Sequence, residues 1–152
     1  MNVTVHTAQH PLQPDLRVIE ILHAQMERIE TFRSTAEIIA SIDNAQKEGS
    51  RGVFTVAWEE DQPIGLAFGN IGSGIESGGD YFWLNELYVP TQHRNKGVAQ
   101  AILDALEDWL RSQSIHYVAG VTGHDNGAAL ALYQKKGYTI TSPAWFDKHL
   151  FD

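Results

Sequence analysis

Between Gly52 and Val89 the chain carries no helical periodicity. "GVFTVAWEE" (Gly52–Glu60) and "QPIGLAFGNI" (Gln62–Ile71) are rich in β-branched and aromatic residues and flank a tight acidic turn, which is the pattern of a hairpin. A third run, "YFWLNELYV" (Tyr81–Val89), is closed by Pro90. Three neighbouring strands commit the middle of the chain to a sheet, and a sheet with an apolar face has to be covered. The flanks supply the cover. Upstream, Asp15 is placed to cap a helix with Leu16, Ile19, Leu22, Met26 and Ile29 on one face, and Ser34 with Glu37 has capping-box spacing ahead of Ile38, Ile39 and Ile42, with Gly49 as a stop. Downstream, Val98, Ile102, Ala105, Leu106, Trp109 and Leu110 form the stripe of a long helix, and "NGAALALYQKKG" reads as another, stopped by Gly137. "VTVH" (Val3–His6), "IHYVAGV" (Ile115–Val121), "YTIT" and "WFDKHLF" read as further strands. The order is β, α, α, β, β, β, α, β, α, β, β, which implies one α+β domain over residues 1–152 with a mixed, mostly antiparallel sheet flanked by helices.

The 152 residues suit a single core. A formal net charge of −8 argues against nucleic acid and anionic membranes as partners, since phosphate recognition needs a basic surface; it favours a cationic substrate. The absence of cysteine excludes disulfides and thiolate chemistry. "MNVTVHTAQHPLQPDL" does not read as a signal peptide and no apolar run reaches membrane length, so a cytoplasmic setting is expected. The seven histidines lack metal-binding spacing, and no metal is expected. "GSGIESGG" (Gly72–Gly79) imitates a dinucleotide loop, but a strand follows it where that motif needs a helix; it reads as a flexible loop between strands.

The densest basic spot in this acidic chain is "QHRNKGVAQAIL" (Gln92–Leu103). The helix stripe begins near Val98, so Arg94–Ala99 is a strand-to-helix turn. The first amides of a helix have no internal partners and lie at the positive end of its dipole. Gly97 permits close approach of the backbone, and Arg94 and Lys96 add charge. Together these suit phosphate oxygens.

"RNKGVA" has the form R-x-x-G-x-A and follows "NELYV" directly; "NGAALALYQKKGY" has the form N-x-x-A-x-x-x-Y-x-x-x-G-Y, carried by Asn126, Ala129, Tyr133, Gly137 and Tyr138. In this order the two motifs resemble the GCN5-related N-acetyltransferase family, most strongly over Tyr81–Tyr138. The resemblance implies an acyl-CoA N-acyltransferase fold, with acetyl-CoA as co-substrate and no metal. It implies that amides among Arg94, Asn95, Lys96, Gly97, Val98 and Ala99 wrap the pyrophosphate. A bulged strand at Leu87, Tyr88 and Val89 would pair with the pantetheine arm, and the amide of Leu87 or Val89 would face the thioester oxygen. Asn126, with Ala129 in the same motif, would contact the cofactor arm, and Tyr133 would lie near the sulfur.

The chemistry is consistent with those roles. An alkyl amine is mostly protonated at neutral pH, with a pKa of about 10, so a base is needed. Glu86 is an acid in the middle of an otherwise apolar strand, acting directly or through water. Tyr133 would donate to the departing thiolate. The expected reaction is acetylation of a primary amine on a small cationic molecule, of polyamine or aminosugar type. A non-catalytic acyl-CoA sensor on the same fold, or a protein N-terminal or lysine acetyltransferase, are the rival readings. Dimers are common in the family, so a homodimer is one expected assembly.

Overall fold

A computed structural model describes residues 1–151. The chain divides into two compact units, Met1–Val121 and the segment from Thr122 onward.

The first unit holds a five-stranded sheet in the order β1 (Asn2–His6), β2 (Gly52–Glu59), β3 (Gln62–Gly74), β4 (Gly79–Tyr88), β5 (Val118–Gly120). All neighbours are antiparallel except β4 and β5. This is the mixed, mostly antiparallel α+β sheet that the sequence implies. The turn between β2 and β3 is tight, with Glu60 left-handed at φ 56°. The glycine-rich stretch is shorter as a loop than expected: Gly72–Gly74 belong to β3 and Gly79 to β4, because the hairpin ladder runs out to the Gly74–Gly79 pair. The strand expected over Ile115–Val121 contracts to Val118–Gly120, which pair only with Phe82–Leu84.

One face of the sheet is covered by α1 (Leu16–Arg28) and α2 (Thr35–Gln46). Asp15 caps α1 by accepting from the amides of Arg17 and Val18, both at 3.0 Å. Ser34 and Glu37 close the capping box at 3.1 and 3.0 Å. Val18, Leu22, Ile38, Ile42, Phe54 and Leu66 form the core on this side, each buried aliphatic or aromatic side chain contributing about 1.5–3 kcal/mol. A buried amide holds the approach to α1 in place: Gln46 accepts from the Leu12 amide at 2.6 Å and donates to its carbonyl at 3.0 Å. The opposite face is covered by α3 (Val98–Ser112), whose Val98, Ile102, Leu103, Leu106 and Leu110 are buried. Gly65 marks that face, since a Cβ there would meet Val98, Ile102 and Val89.

A bulge in β4 decides which face each of its residues serves. Phe82 pairs with Ile71 and Leu84 with Gly69, on the α3 side; the next pair is Glu86 with Phe68, on the side of α1 and α2. Asn85 is the extra residue. In an uninterrupted strand Glu86 would follow Phe82 and Leu84 into the α3 core, because side chains two apart share a face. Because the bulge takes Asn85 out of the ladder, Glu86 is the next paired residue after Leu84 and faces the other side. Asn85 accepts there from the Asn70 side chain at 2.9 Å. Gly69 is what the ladder tolerates opposite, since any side chain there would collide with the Phe82 ring and the Trp83 carbonyl.

In the second unit, α4 (Gly127–Lys135) is capped by Asn126, whose Oδ1 accepts from the Ala129 amide at 3.3 Å. Gly137, at φ 90°, ends it, and the Tyr138 amide bonds the Tyr133 carbonyl at 2.9 Å. The strands expected at "YTIT" and "WFDKHLF" do not form among the described residues. Trp145, Phe146, Leu150 and Phe151 are mostly exposed. Aromatic and branched residues favour a strand only when a neighbouring strand is there to pair and pack, and local composition cannot supply one.

Candidate active site

Glu86 stands where β4 has just been re-aimed. Its Oε2 accepts from Nε2 of Gln25 at 2.7 Å, and Oε1 of Gln25 accepts from Nε of Arg28 at 3.2 Å. Gln25 is buried, so this chain of donors fixes its amide with the N–H toward the carboxylate. Burial raises the Glu86 carboxyl above the ordinary glutamate range, while the Gln25 amide and the Arg28 charge act the other way. Such a carboxylate is a stronger base than an exposed one and still has one oxygen, Oε1, toward which an ammonium can come. It lines a pocket of about 180 Å³ together with Leu22, Met26, Ile38, Phe54 and Phe68. A second, more polar hollow of about 390 Å³ adjoins it at Ser41 and Phe68.

The residues after Glu86 open an edge. β5 pairs with β4 only as far as Leu84, so the outer side of Glu86–Tyr88 has no strand partner among the described residues. Leu87 and Tyr88 remain paired to β3 through Ala67 and Leu66. The sequence resemblance expects the bulge at Leu87–Val89; it lies earlier, at Asn85, and its effect is to separate β4 from β5 ahead of those residues.

Beyond Pro90, a single turn of 3-10 helix (Thr91–His93) leads into the basic segment. The Arg94 amide bonds the Thr91 carbonyl at 3.3 Å, and its Nε donates to the Val89 carbonyl at 2.8 Å, with the guanidinium 5.5 Å over the Tyr88 ring. Arg94 thus staples the turn to the end of β4 while keeping its charge there. Asn95 (φ 60°) and Gly97 (φ 78°) are both left-handed. No side chain caps α3, and its first internal bond is from the Ala101 amide to the Gly97 carbonyl. The amides of Val98 and Ala99 therefore have no partner within the helix. A Cβ on Gly97 would meet no protein atom within 4 Å, so space in front of this turn is open. Lys96 is exposed beside it. The left-handed pair, the uncapped helix start and the cations fit a polyphosphate such as that of acetyl-CoA.

In the second unit Asn126 is occupied as the α4 cap, and its Nδ2 donates to Thr122 Oγ1 at 3.3 Å. Tyr133 packs edge-on against Tyr138 with ring centres 5.5 Å apart, and burial raises its hydroxyl above the ordinary tyrosine range. A hydroxyl shifted in this direction holds its proton at neutral pH. No group of three or more His, Asp or Glu side chains among the described residues is arranged to hold a metal ion. No helix among them is long and apolar enough to cross a membrane.

Gln25 and Arg28 escape the sequence reading. Their signal is there: Gln25 occupies a stripe position three residues after Leu22, where an apolar side chain is the rule, and it is buried as that position demands.

The chain belongs to the acetyltransferase (GNAT) family, whose profile matches residues 17–138. It is 32% identical over 106 residues to N-acetyltransferase family 8 member 2 of Rattus norvegicus, a match covering 70% of this chain and 45% of that protein, so the chain spans less than half of that relative. Among solved structures, a probable acetyltransferase superimposes with a TM-score of 0.83 at 17% identity, covering 100% of this chain and 99% of the other. An aminoglycoside N-acetyltransferase in complex with CoA gives a TM-score of 0.75 at 16% identity, covering 99% and 95%. At such identities the likeness is one of fold.

Proposed function

We propose that this protein transfers the acetyl group of acetyl-CoA to the primary amine of a small molecule, with Glu86 as the proton acceptor. One observation carries the reading. Glu86 is a partly desolvated carboxylate, turned by the Asn85 bulge to the wall of a pocket and held there by Gln25, next to the unpaired edge of β4. In the reaction the amine arrives as an ammonium and gives a proton to Glu86, directly or through one water. Its nitrogen then forms a bond to the thioester carbonyl carbon, and the carbon–sulfur bond breaks. The second amine proton leaves to solvent, and the thiolate takes a proton donated by Tyr133, a role that rests on the family motif. The amide of Leu87 or Val89 stabilises the oxygen on which charge gathers. Asn95–Ala99 hold the pyrophosphate, and contact of Asn126 and Ala129 with the arm of the co-substrate rests on the family motif alone. The net charge of −8 draws in cationic amines and extends the reading to polyamines and aminosugars.

The test is thiol release from acetyl-CoA in the presence of a panel of amines. Wild-type protein should release thiol with at least one of them, and Glu86→Gln should lower kcat/KM by about 10²–10⁴. Tight binding of acetyl-CoA with no amine-dependent thiol release would make the protein a sensor of acyl-CoA and end the catalytic reading.

A further inference from the structure

The pocket beside Glu86 has a chemistry of its own, which the acetyl-transfer reading leaves open. Its walls are Leu22, Met26, Ile38, Ile42, Phe54 and Phe68; Ser41 and Arg33 are the polar groups besides the acid. At about 180 Å³ it is somewhat larger than the ~150 Å³ apolar cavity that takes up benzene. We propose, on the basis of the acetyl-transfer reading, that the acceptor is a primary amine joined by a short linker to an apolar group the size of a phenyl ring. The ring sits between α1, α2 and the sheet, and the nitrogen lies at Glu86.

The orientation follows from the carboxylate. Gln25 holds Oε2, so the ammonium comes to Oε1, and whatever the nitrogen carries lies along the apolar wall. An amine of this kind leaves no polar group stranded. The two classes that the overall charge would favour do worse here. Glu86 is the only acid among the described residues of the lining, so the second ammonium of a polyamine finds no counter-charge there and meets Arg33 instead. The hydroxyls of an aminosugar would face Leu22, Ile38 and Phe54, which offer no hydrogen bond, and unpaired polar groups are costly to bury. The neighbouring hollow does have polar walls in Asn44, Ser50 and Asn70, but Glu86 does not line it. The field of the whole chain sets which amines are attracted from a distance; the pocket sets which one is retained.

Thiol release at saturating acetyl-CoA, compared for ethylamine, 2-phenylethylamine, spermidine and glucosamine, tests the assignment. We expect kcat/KM for 2-phenylethylamine to exceed each of the others by about tenfold or more, the scale of discrimination an apolar pocket provides. Met26 is half-buried at the pocket wall, and Met26→Trp should drive the ratio of 2-phenylethylamine to ethylamine toward one. Spermidine or glucosamine as the best acceptor overturns the pocket assignment and leaves acetyl transfer standing. If no amine is acetylated, the functional reading fails, and binding decides this one. The chain has two methionines, Met1 and Met26, so methyl-labelled methionine gives two NMR signals. Titration with 2-phenylethylamine should move the Met26 signal and leave Met1 in place. An unmoved Met26 signal at millimolar ligand overturns the inference.

Discussion

Gln25→Met probes the support of Glu86 while keeping the volume of the α1 stripe. The side chain is buried and the substitution replaces one unbranched shape with another of similar volume, so the packing of that position is largely retained. What disappears is the 2.7 Å bond from Nε2 to Glu86 and, with it, the link to Arg28. A hydrogen bond to a charged group contributes about 1.5–3 kcal/mol. Glu86 keeps some contact with water, so the lower end applies; at about 1.36 kcal/mol per factor of ten in a protonation equilibrium, the ionised fraction on the acid side falls roughly tenfold. The sign is set by burial, which already raises the carboxyl, and loss of the opposing bond raises it further. kcat/KM measured across pH should therefore keep its alkaline plateau within about twofold and drop about tenfold on the acid limb, where proton transfer to the carboxylate limits the rate. Stability gives a second readout. A carboxyl raised on folding stabilises the folded state fully below its unfolded value, and that contribution is lost as pH rises through the folded value. The variant should lose more stability than wild type over that rise, as followed by urea denaturation at several pH values. A pH–rate profile that superimposes on wild type would show that Gln25 does not tune Glu86, and would remove the base from Glu86 as well if Glu86→Gln were equally silent.

The other expectations concern the turn, the second unit and the bulge. Gly97→Ala forces a side chain into φ 78°, at a cost of about 1–2 kcal/mol, and intrudes on the open space before α3; calorimetry should show a larger loss of acetyl-CoA affinity than for Lys96→Ala. Equal and unchanged affinity in the two variants would move the co-substrate elsewhere. Tyr133→Phe should cut kcat by about 10²–10⁴ with CoA affinity unchanged, because the hydroxyl matters only as charge grows on sulfur; wild-type turnover would return Tyr133 to packing against Tyr138. Gly69→Ala should destabilise by about 1–3 kcal/mol or more, because its Cβ would displace the Phe82 ring and press on the Trp83 carbonyl, and a wild-type urea midpoint would contradict the ladder described for β3 and β4.

Most of the helices and the central hairpins were legible because their signals are local. Asp15, and Ser34 with Glu37, cap where their side-chain chemistry says they should. The R-x-x-G-x-A turn was legible for the same reason: a glycine and a left-handed neighbour are fixed by a few consecutive residues. What failed was non-local. "WFDKHLF" has strand composition but no ladder among the described residues, and nothing within seven residues reports whether a partner exists. The bulge position likewise depends on β3, since Asn85 is extra only relative to Phe68 and Gly69. Gln25 was missed because its meaning lies in a residue sixty-one positions away.

Asn85 makes the pairing of β4 with β3, and not only the identity of its residues, a determinant of chemistry. Removing that one residue would leave every side chain of the site intact in the sequence. It would return the strand to even spacing with the register on both sides kept: Glu86 would follow Leu84 directly and, opposite Phe68, still face α1 and α2. Deletion of Asn85 should therefore leave Glu86 on the pocket side, and it removes the bulge along with the bond to Asn70 that Asn85→Ala alone removes. The same arithmetic applies when this strand is aligned with a relative that lacks the bulge: a gap placed anywhere but at Asn85 matches residues of opposite faces between the two positions, so a matched glutamate in such an alignment need not be an equivalent one.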